Sequence, residues 1–224
     1  MENEARTFES ICLQRRSVRA FKKDAAPPEI LEALMRPAMA APSNCNTQPW
    51  VVHVVSGEKL EGLRETMPGD FAAGKMSIDF PYDGSYDGVY KERQYGSAQA
   101  LYDSVGVTRA DKAERQEIFM RNFAFFGAPH VAFFFLPEPF GLREAADVGM
   151  FAQTFMLSLT AHGMGSCPQT SLSFQANLVR ERLDIPGNQK LLFGISFGYP
   201  ERDAPINACA TDRAALSDLV TFHH

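Results

Sequence analysis

The chain has 224 residues, with 22 Lys or Arg against 27 Asp or Glu, so its formal net charge is −5. Hydrophobic residues make up 45% and charged residues 22%, the mixture of an ordinary soluble globular protein. The acidic balance, with no long Lys/Arg run, argues against nucleic-acid or membrane-surface partners. No window has the apolar length of a membrane span, and the acidic start is unlike a signal peptide. We therefore expect a cytoplasmic chain.

The four cysteines lie far apart, at positions 12, 45, 167 and 209. None belongs to a C-x-x-C pair, and no His stands at metal-ligand spacing from them. We therefore expect reduced thiols, no disulfide and no metal site. Residues 223–224 are both His and resemble the remnant of a purification tag, so they carry no functional argument.

Helical and extended patterns alternate along the first part of the chain. A short helix is predicted where apolar residues recur at 8, 11 and 12, and the basic segment 15–19 follows it. A second helix begins at the prolines 27–28 and ends by Pro42, because a residue before Pro is pushed out of the helical region. Residues 43–49 form a polar loop, and β-branched residues predict a strand at 50–55.

Helices and strands continue to interleave up to position 200. Further helices are predicted at 58–67, 90–104, 111–126, 143–161 and 174–184, and further strands at 130–136 and 191–197. The Gly- and Asp-rich stretch 68–90 is predicted to be irregular, and residues 163–171 a glycine-rich turn. The interleaving predicts one α+β domain over residues 1–222, with a small central sheet flanked by helices.

Two familiar motifs in this chain do not carry their usual chemistry. Residues 194–198 read G-I-S-F-G, but Tyr199 and Pro200 follow where a nucleophile elbow needs a helix. We predict a strand there and no Ser nucleophile. Residues 163–165 could open a dinucleotide fingerprint, but Pro168 stands where the third Gly belongs. A Rossmann site is therefore not expected.

Two polar segments are the candidate binding elements. If residues 15–19 (RRSVR) are extended, Arg15, Ser17 and Arg19 share one face, and two guanidinium groups beside a hydroxyl suit a phosphate. The alternative is a solvated basic patch. Residues 41–50 (APSNCNTQPW) offer many hydrogen-bonding groups in a loop that is rigid at both ends. The alternative there is a loop that satisfies its own groups through Asx-turns.

Together these segments resemble the FMN-dependent nitroreductase family. The words NCNTQPW and CPQ are similar to its nitrobenzoate-reductase-like members, and the resemblance continues through residues 125–129, 163–169 and 197–200. It implies a nitroreductase-like fold whose C-terminal tail wraps a dimer partner. It also implies an oxidoreductase, a flavoprotein that binds FMN, takes hydride from NADH or NADPH and passes it to small nitroaromatic compounds by a ping-pong mechanism.

The resemblance also implies the residues of the FMN site. The basic cluster would bind the phosphate, the ribityl chain and the pyrimidine edge, which means Arg15, Arg16, Ser17 and Arg19. The polar loop would reach the flavin of the other subunit through Pro42, Ser43, Asn44 and Asn46. The turn after the long helix would lie against the flavin ring through Pro168, Gln169, Thr170 and Ser171. An Asn before the second strand matches Asn122, although Arg121 fits the alignment equally well.

The C-terminal tail, which begins at Pro200, departs from the family pattern. Relatives often carry several basic residues there for the phosphate, whereas this chain has Ala208 and Ala210 and keeps only Arg213 for that role. No protein side chain is expected to act as a catalytic nucleophile, because the reactive centre would be flavin N5. A cation near flavin N1 and O2 favours hydride acceptance, and Arg19 is the candidate for it.

Three functional hypotheses follow from the resemblance. The first is an FMN-dependent NAD(P)H nitroreductase that works as a homodimer. The second keeps the fold for an ene-reductase or a dehalogenase, and the third is a non-enzymatic flavin-binding protein. Five of the six Tyr lie within residues 82–102, which could form an aromatic lid over a flat substrate or an insertion packed on its own rings. Phe123 and Phe125 are weaker candidates for the same aromatic wall.

Overall fold

The computed structural model describes residues 8–223; residues 1–7 of the predicted domain and His224 of the predicted tag remnant lie outside them. The helices are α1 (Phe8–Gln14), α2 (Pro28–Met35), α3 (Gly57–Ala72), α4 (Gly88–Ser104), α5 (Lys112–Met120), α6 (Leu142–Ala161), α7 (Ala176–Leu183) and α8 (Leu216–Leu219). The strands are β1 (Val51–Ser56), β2 (His130–Pro137), β3 (Gly165–Gln169) and β4 (Gln189–Gly198). The predicted α+β class is confirmed.

The described strands form one antiparallel sheet in the order β1-β2-β4-β3. Strand β2 is buried along nearly its whole length, so its side chains alternate between two apolar clusters. Phe134 faces the cluster that contains α6, whereas Phe133 and Phe135 face the cluster of α3 and α7. The sheet is therefore covered by helices on both faces, as the run of apolar residues at 130–136 predicted.

Helix α6 confirms the prediction of a helix at 143–161. It packs Phe151 and Phe155 against the sheet, and its axis extends over 20 residues, or about 30 Å. Its C-terminal end leads through Gly163 into β3. The residues at the two ends of α6 are therefore held far apart from each other.

The predicted turn at 163–171 is wrong for residues 165–169, which form strand β3. Its glycine reflects a close approach of two chain segments: a Cβ on Gly165 would lie 2.6 Å from Cγ2 of Val18. Pro168 is tolerated because β3 is an edge strand of the described sheet, where a missing N–H costs no ladder bond. The glycine content of this stretch predicts a turn instead of a strand.

Two predicted helix ends were also wrong. Helix α3 continues through Pro68 to Ala72, because Met67 is fully buried and Phe71 packs against the same cluster. Helix α5 ends at Met120 rather than near 126. Phe125 and Phe126 both have positive φ, at 57° and 52°, which no helix permits.

Residues 194–198 lie in β4, as predicted, and Ser196 is fully buried there. None of the helices between residues 8 and 223 is long and apolar enough to cross a bilayer. Within the same residues, no three His, Cys, Asp or Glu side chains are grouped so that they could hold a metal ion.

Candidate functional site

The basic segment 15–19 is extended and lies along the free edge of β3. Ser17 forms a parallel bridge with Ser166, and the Val18 N–H donates to the Ser166 carbonyl at 2.8 Å. Val18 is buried, so the chain alternation turns its neighbours Ser17 and Arg19 away from the core. The local geometry assumed in the sequence analysis is therefore confirmed.

A cavity of about 600 Å³ lies over this segment. It is lined by the end of α1, by the tail around Ala210, and by the side chains that the sequence analysis selected, Arg15, Arg16, Ser17, Arg19 and Arg213. The tail and the N-terminal segment are thus brought together, although they are separated by almost the whole chain. A basic residue in each of them faces the same space.

Among residues 8–223, no carboxylate side chain lines this cavity. Burial lowers the pKa of Arg15, and the nearby positive charge of Arg213 lowers it further. None of the ion pairs found among residues 8–223 involves Arg15, Arg16, Arg19 or Arg213. Converging guanidinium groups without a carboxylate favour a bound anion, and phosphate matches their fork geometry.

Asn207 connects the tail to the basic segment, and the sequence analysis missed it. Its Oδ1 accepts hydrogen bonds from the N–H groups of Arg19 at 2.7 Å and Ala20 at 3.1 Å. Its Nδ2 donates to the carbonyls of Ala20 and Glu201, both at 2.8 Å. The side chain is 3% exposed. In the sequence, the only signal for this role was the polar side chain of Asn207 itself.

Residues 168–171, at the end of β3 and in the turn after it, differ in exposure. Pro168 and Thr170 are exposed, Gln169 is buried and Ser171 is half-buried. The Gln169 side chain points inward, where Nε2 donates to the Asn122 carbonyl at 3.0 Å and to its Oδ1 at 3.2 Å, and Oε1 accepts from Ser196. The Gln169 side chain is therefore unavailable to a ligand on the outer side of β3, and only the Gln169 backbone can face one.

Asn122, and not Arg121, is the residue in contact with β3. Arg121 is an exposed side chain paired with Glu117 at 2.9 Å on α5. Asn122 is held by the bonds from Gln169, and its Nδ2 donates to the Phe119 carbonyl at 2.8 Å. The structure therefore brings Asn122 to β3, and its place in the FMN site stays a prediction.

Two hydroxyl groups on and after β3 lack partners. Ser166 Oγ and Ser171 Oγ are buried and have no hydrogen-bond partner among the described residues. Buried polar atoms of this kind are costly unless something polar meets them. Together with the unpaired guanidinium groups, they fit a ligand that carries both a phosphate and further hydrogen-bonding groups, as FMN does.

Cys167 lies between these elements and is a buried thiol. Burial raises its pKa to about 11, although the charge of Arg19 and a hydrogen bond with Ser17 act in the opposite direction. Because the thiol stays protonated near neutral pH, it does not offer a nucleophile.

Comparison with known proteins identifies the family. Residues 12–199 match the Nitroreductase family. The chain belongs to this family. It is 43% identical over 219 residues to the nitroreductase NfnB of Mycolicibacterium smegmatis, an alignment that covers 97% of this chain and 93% of that one. It is 31% identical to a 4-nitrobenzoate reductase of Pseudomonas putida, covering 96% and 95% of the two chains. The resemblance to nitrobenzoate-reductase-like members is thus confirmed.

Solved structures of the family confirm the fold. The crystal structure of FMN-dependent NfnB from Mycobacterium smegmatis in complex with NADPH superposes with a TM-score of 0.92. The superposition covers 96% of this chain and 97% of that one, at 43% identity. The nitroreductase-like fold therefore extends over nearly the whole described chain.

The polar loop of this family member satisfies part of its own capacity. The Gln48 N–H donates to Ser43 Oγ at 2.9 Å, and Gln48 Nε2 donates to the Asn46 carbonyl at 3.2 Å. Cys45, Asn46 and Gln48 all have positive φ, a conformation that costs energy outside glycine. Pro42, Asn44 and Asn46 remain exposed. The loop is therefore paired in part with itself, and its role in binding stays a prediction.

The same loop lies far from the basic cavity of its own chain. The Asn44 N–H donates to Asp147 Oδ2 at 3.0 Å, near the start of α6. Arg16 instead lines a small cavity with Thr160, at the end of α6. These two positions on α6 are separated by 160 − 147 = 13 residues, or about 20 Å along the axis. Within one chain, the polar loop and the basic cluster therefore do not meet.

Most of the tyrosine-rich stretch lies in helix α4, which confirms the helix predicted at 90–104. Helix α4 has no buried residue, and Tyr90 and Tyr95 are 64% and 61% exposed. Tyr82 packs on Phe174, with ring centroids 5.5 Å apart. By contrast, Phe123 and Phe125 are fully buried, so their assignment to an aromatic wall is wrong.

Proposed function

We propose that this chain is an FMN-dependent oxidoreductase that passes hydride from NADPH or NADH to nitroaromatic compounds in two alternating half-reactions. The observation that carries the proposal is the cavity in which Arg15, Arg19 and Arg213 meet with no carboxylate. Relatives along nearly the full length support it, since their names describe a nitroreductase and 4-nitrobenzoate reductases.

In this proposal the site residues bind and orient the cofactor. Arg15, Arg16 and Arg213 hold the phosphate, and Ser17 contributes a hydroxyl beside it. Arg19, on the basic segment that runs beside β3, faces the pyrimidine edge, where a fixed cation favours negative charge on the ring. Pro168, Thr170 and Ser171 border the ring, with Gln169 contributing backbone only. Asn122 is a further polar neighbour. When bound, FMN supplies the centre that accepts and donates hydride.

The remaining nucleophiles of the chain fit a reaction that uses none of them. Ser196 is fully buried in β4 and donates to Gln169. The raised pKa of Cys167 keeps its thiol protonated. Hydride transfer through a flavin requires neither an acyl nor a thiol intermediate on the protein, so the site consists of binding groups.

The proposal requires a homodimer. The loop residues Pro42, Ser43, Asn44 and Asn46, of which Ser43 is half-buried and the others are exposed, do not reach the basic cavity of their own chain. They would therefore complete the site of the partner. The tail offers a second link: Val220 is extended and exposed, and β1 is an end strand of the described sheet. An extended tail added to such an edge is a common mode of association.

The oligomer is tested by light scattering after size-exclusion chromatography. The full chain is expected at the mass of two copies, and a chain shortened after Ala215 at a lower average mass. A full chain that runs as a monomer at micromolar concentration would contradict the shared site.

We also propose an aromatic lid, a single FMN-binding domain and a cytoplasmic location. Residues 82–102 form an aromatic lid, because exposed tyrosines on α4 suit contact with a flat ring. Residues 1–222 act as one FMN-binding domain. The enzyme works in the cytoplasm, where its four thiols, all free among the described residues, remain reduced.

The deciding experiment is an absorption spectrum of the purified protein, recorded without oxygen before and after NADPH or NADH. A flavin spectrum that bleaches, and recovers on addition of 4-nitrobenzoate, is the expected result. Recovery with an enone or a halogenated aromatic alone would favour the ene-reductase or dehalogenase reading. A flavin spectrum that never bleaches would favour a binding protein, and failure to bind FMN at all would contradict the proposal.

A further inference from the structure

A separate cavity of about 300 Å³ lies between α4 and α5. We call it the tyrosine pocket, because Tyr95 and Tyr102 line it together with Gln99, Arg109 and Arg115. None of these side chains lines the basic cavity. The volume is at the lower end of the range of about 300–1,000 Å³ that is usual for small-molecule sites. The pocket is therefore large enough for one small ligand.

Helix α4 separates the tyrosine pocket from the basic cavity. Tyr95 and Tyr102 are 102 − 95 = 7 residues apart on this helix, so they lie on the same face of it. Ser97, which lines the basic cavity, follows Tyr95 by two positions and lies about 200° further round the helix. The two spaces are therefore on different sides of α4, and a flavin held near Arg15 does not occupy the tyrosine pocket.

Arg115 is the half-buried cation of the tyrosine pocket. Its guanidinium carbon lies 4.9 Å from the Tyr102 ring centroid, a cation–π distance, and its Nη1 donates to the Arg109 carbonyl at 3.3 Å. Its Nε is buried and has no hydrogen-bond partner among the described residues. A buried donor of this kind is costly unless something polar meets it. The guanidinium is thus held in position while one of its donors stays unused.

The tyrosine pocket carries positive charge without an acid in its wall. In the part of the chain that the structure describes, no Asp or Glu side chain lines the pocket, and no ion pair involves Arg109 or Arg115. Two acids in the adjoining segments have other partners. Asp103 accepts a side-chain hydrogen bond within α4 at 2.6 Å, and Asp111 accepts from the N–H and the hydroxyl of Thr108 at 2.8 and 2.7 Å. An anion therefore complements this pocket.

We propose that the tyrosine pocket binds a small aromatic carboxylate, of the size of benzoate, at a site separate from the flavin. The carboxylate accepts hydrogen bonds from the side edge of the Arg115 guanidinium, where the Nε–H and one Nη–H form a parallel pair. Arg109 adds a second positive charge. The ring of the ligand lies against Tyr95 and Tyr102, because aromatic rings attract each other beyond the area that they bury. The inference goes beyond the proposed function and does not depend on it.

An aromatic carboxylate fits this lining better than a bare phosphate or a neutral ring does. Two tyrosines, Ala98 and Val107 make the wall partly apolar, and a bare phosphate would leave that surface uncovered. A neutral ring would leave the Arg115 Nε without an acceptor, which costs the desolvation of that donor. The pocket therefore selects a ligand that has both a flat ring and an acid group.

The test uses the full-length protein with FMN bound and with 3-fluorotyrosine in place of its six Tyr, observed by ¹⁹F NMR. Benzoate is the probe, because it carries the ring and the carboxylate but no nitro group. The signals of Tyr95 and Tyr102, assigned with Tyr95→Phe and Tyr102→Phe, are expected to shift to saturation. Half-saturation is expected at about 1 mM benzoate or below, the affinity of a one-ring ligand. Flavin absorption of the same samples reports separately on any benzoate bound beside the flavin.

Three variants test the charges. Arg115→Gln removes the pair of donors and the charge, and it should raise the benzoate concentration at half-saturation by about tenfold or more. The matched control is Arg93→Gln: Arg93 also lies over a tyrosine of α4, 5.8 Å from the Tyr90 centroid, but outside the tyrosine pocket. It should leave the titration unchanged. Arg109→Gln, at an exposed position, should weaken benzoate by about threefold, and it tests the charge even if Arg115→Gln does not fold.

Two further probes separate the ring from the acid group. Benzyl alcohol has the ring without the charge, and inorganic phosphate has the charge without the ring. Neither should shift the Tyr102 signal at the concentration at which benzoate half-saturates it. The inference is overturned if benzoate gives no saturable shift of Tyr102, or if either probe is as effective as benzoate. It is also overturned if neither Arg115→Gln nor Arg109→Gln changes the titration. A protein that does not bind FMN would contradict the proposed function alone, because the same titration then tests the tyrosine pocket without the cofactor.

Discussion

The buried amide of Asn207 holds the backbone of Arg19 from the opposite end of the chain. Two residues separated by 188 positions are joined by a 2.7 Å hydrogen bond, and three further bonds of the same side chain fix the adjoining Ala20 and Glu201. The orientation of the basic cluster therefore depends on the tail. Folding of the tail and assembly of the anion site are expected to be one event.

Replacing Asn207 tests this dependence. Asn207→Ala leaves the Arg19 and Ala20 amides without their acceptor, so the free energy of unfolding should fall by about 2–3 kcal/mol. FMN affinity should fall as well, because the Arg19 segment loses its anchor. Urea unfolding and an FMN titration measure the two effects. An exposed Asn177→Ala serves as the control, and an unaltered FMN affinity in Asn207→Ala would contradict the link.

Arg19 is expected to be the most sensitive residue for flavin reduction. Arg19→Ala removes the proposed cation near the pyrimidine edge, so the rate of reduction by NADPH should fall by about 10²-fold. Stopped-flow bleaching of the flavin under saturating FMN measures this rate. Arg143→Ala, at an exposed position on α6, should leave it unchanged. Near-normal reduction in Arg19→Ala would remove Arg19 from the site.

Arg213 should affect retention of the cofactor more than turnover. Its guanidinium also binds the backbone carbonyls of Thr211 and Asp212 at 3.0 Å, so it is directed by the tail itself. Arg213→Ala should weaken FMN binding by about tenfold, the size of one charge-assisted contact. The rate at saturating FMN should change little. Equal FMN affinity in the variant and the parent would contradict the phosphate assignment.

Because of the buried His130, we expect the free energy of unfolding to fall in weak acid. It is 1% exposed, its Nε2 accepts from the Ala26 N–H at 2.8 Å, and burial lowers its pKa. The unfolded chain, with an ordinary His pKa of about 6.5, then binds more protons than the folded chain below that pH. Stability is therefore full above about pH 6.5 and declines as the pH falls towards the lower folded pKa.

Thermal unfolding at a series of pH values measures this decline. His130→Phe should be less stable at neutral pH, because the Ala26 N–H and Ser56 lose their partner. It should also lose part of the pH dependence below about pH 6.5. A variant with the same pH dependence as the parent would show that other groups cause the acid sensitivity.

Cysteine reactivity should follow burial. Cys45 is exposed, whereas Cys167 is buried with a pKa raised to about 11. Iodoacetamide at pH 7.5 should therefore label Cys45 first and Cys167 last, because only the thiolate reacts. Peptide mass spectrometry over time gives the order. Rapid labelling of Cys167 in the folded protein would mean that β3 opens readily.

The sequence determined the features that depend on neighbouring residues. Apolar periodicity gave the long helix α6 and the buried strand β2, since a period of 3.6 or a continuous apolar run is set locally. The alternation of residues 15–19 predicted which side chains share the anion-binding face. The motif words identified the family and the candidate residues, including Asn122 and Arg213.

Tertiary structure decided what depends on partners distant in the chain. Residues 165–169 of the glycine-rich stretch became strand β3 because they pair with β4 and because Val18 and Ser166 meet across the fold. No local signal carries such contacts. Phe123 became core rather than aromatic wall, since its ring stacks on Phe71 at 4.1 Å. Gln169 turned inward to reach Asn122 and Ser196. Asn207 gained its role because a buried amide acquires meaning only from the groups that surround it.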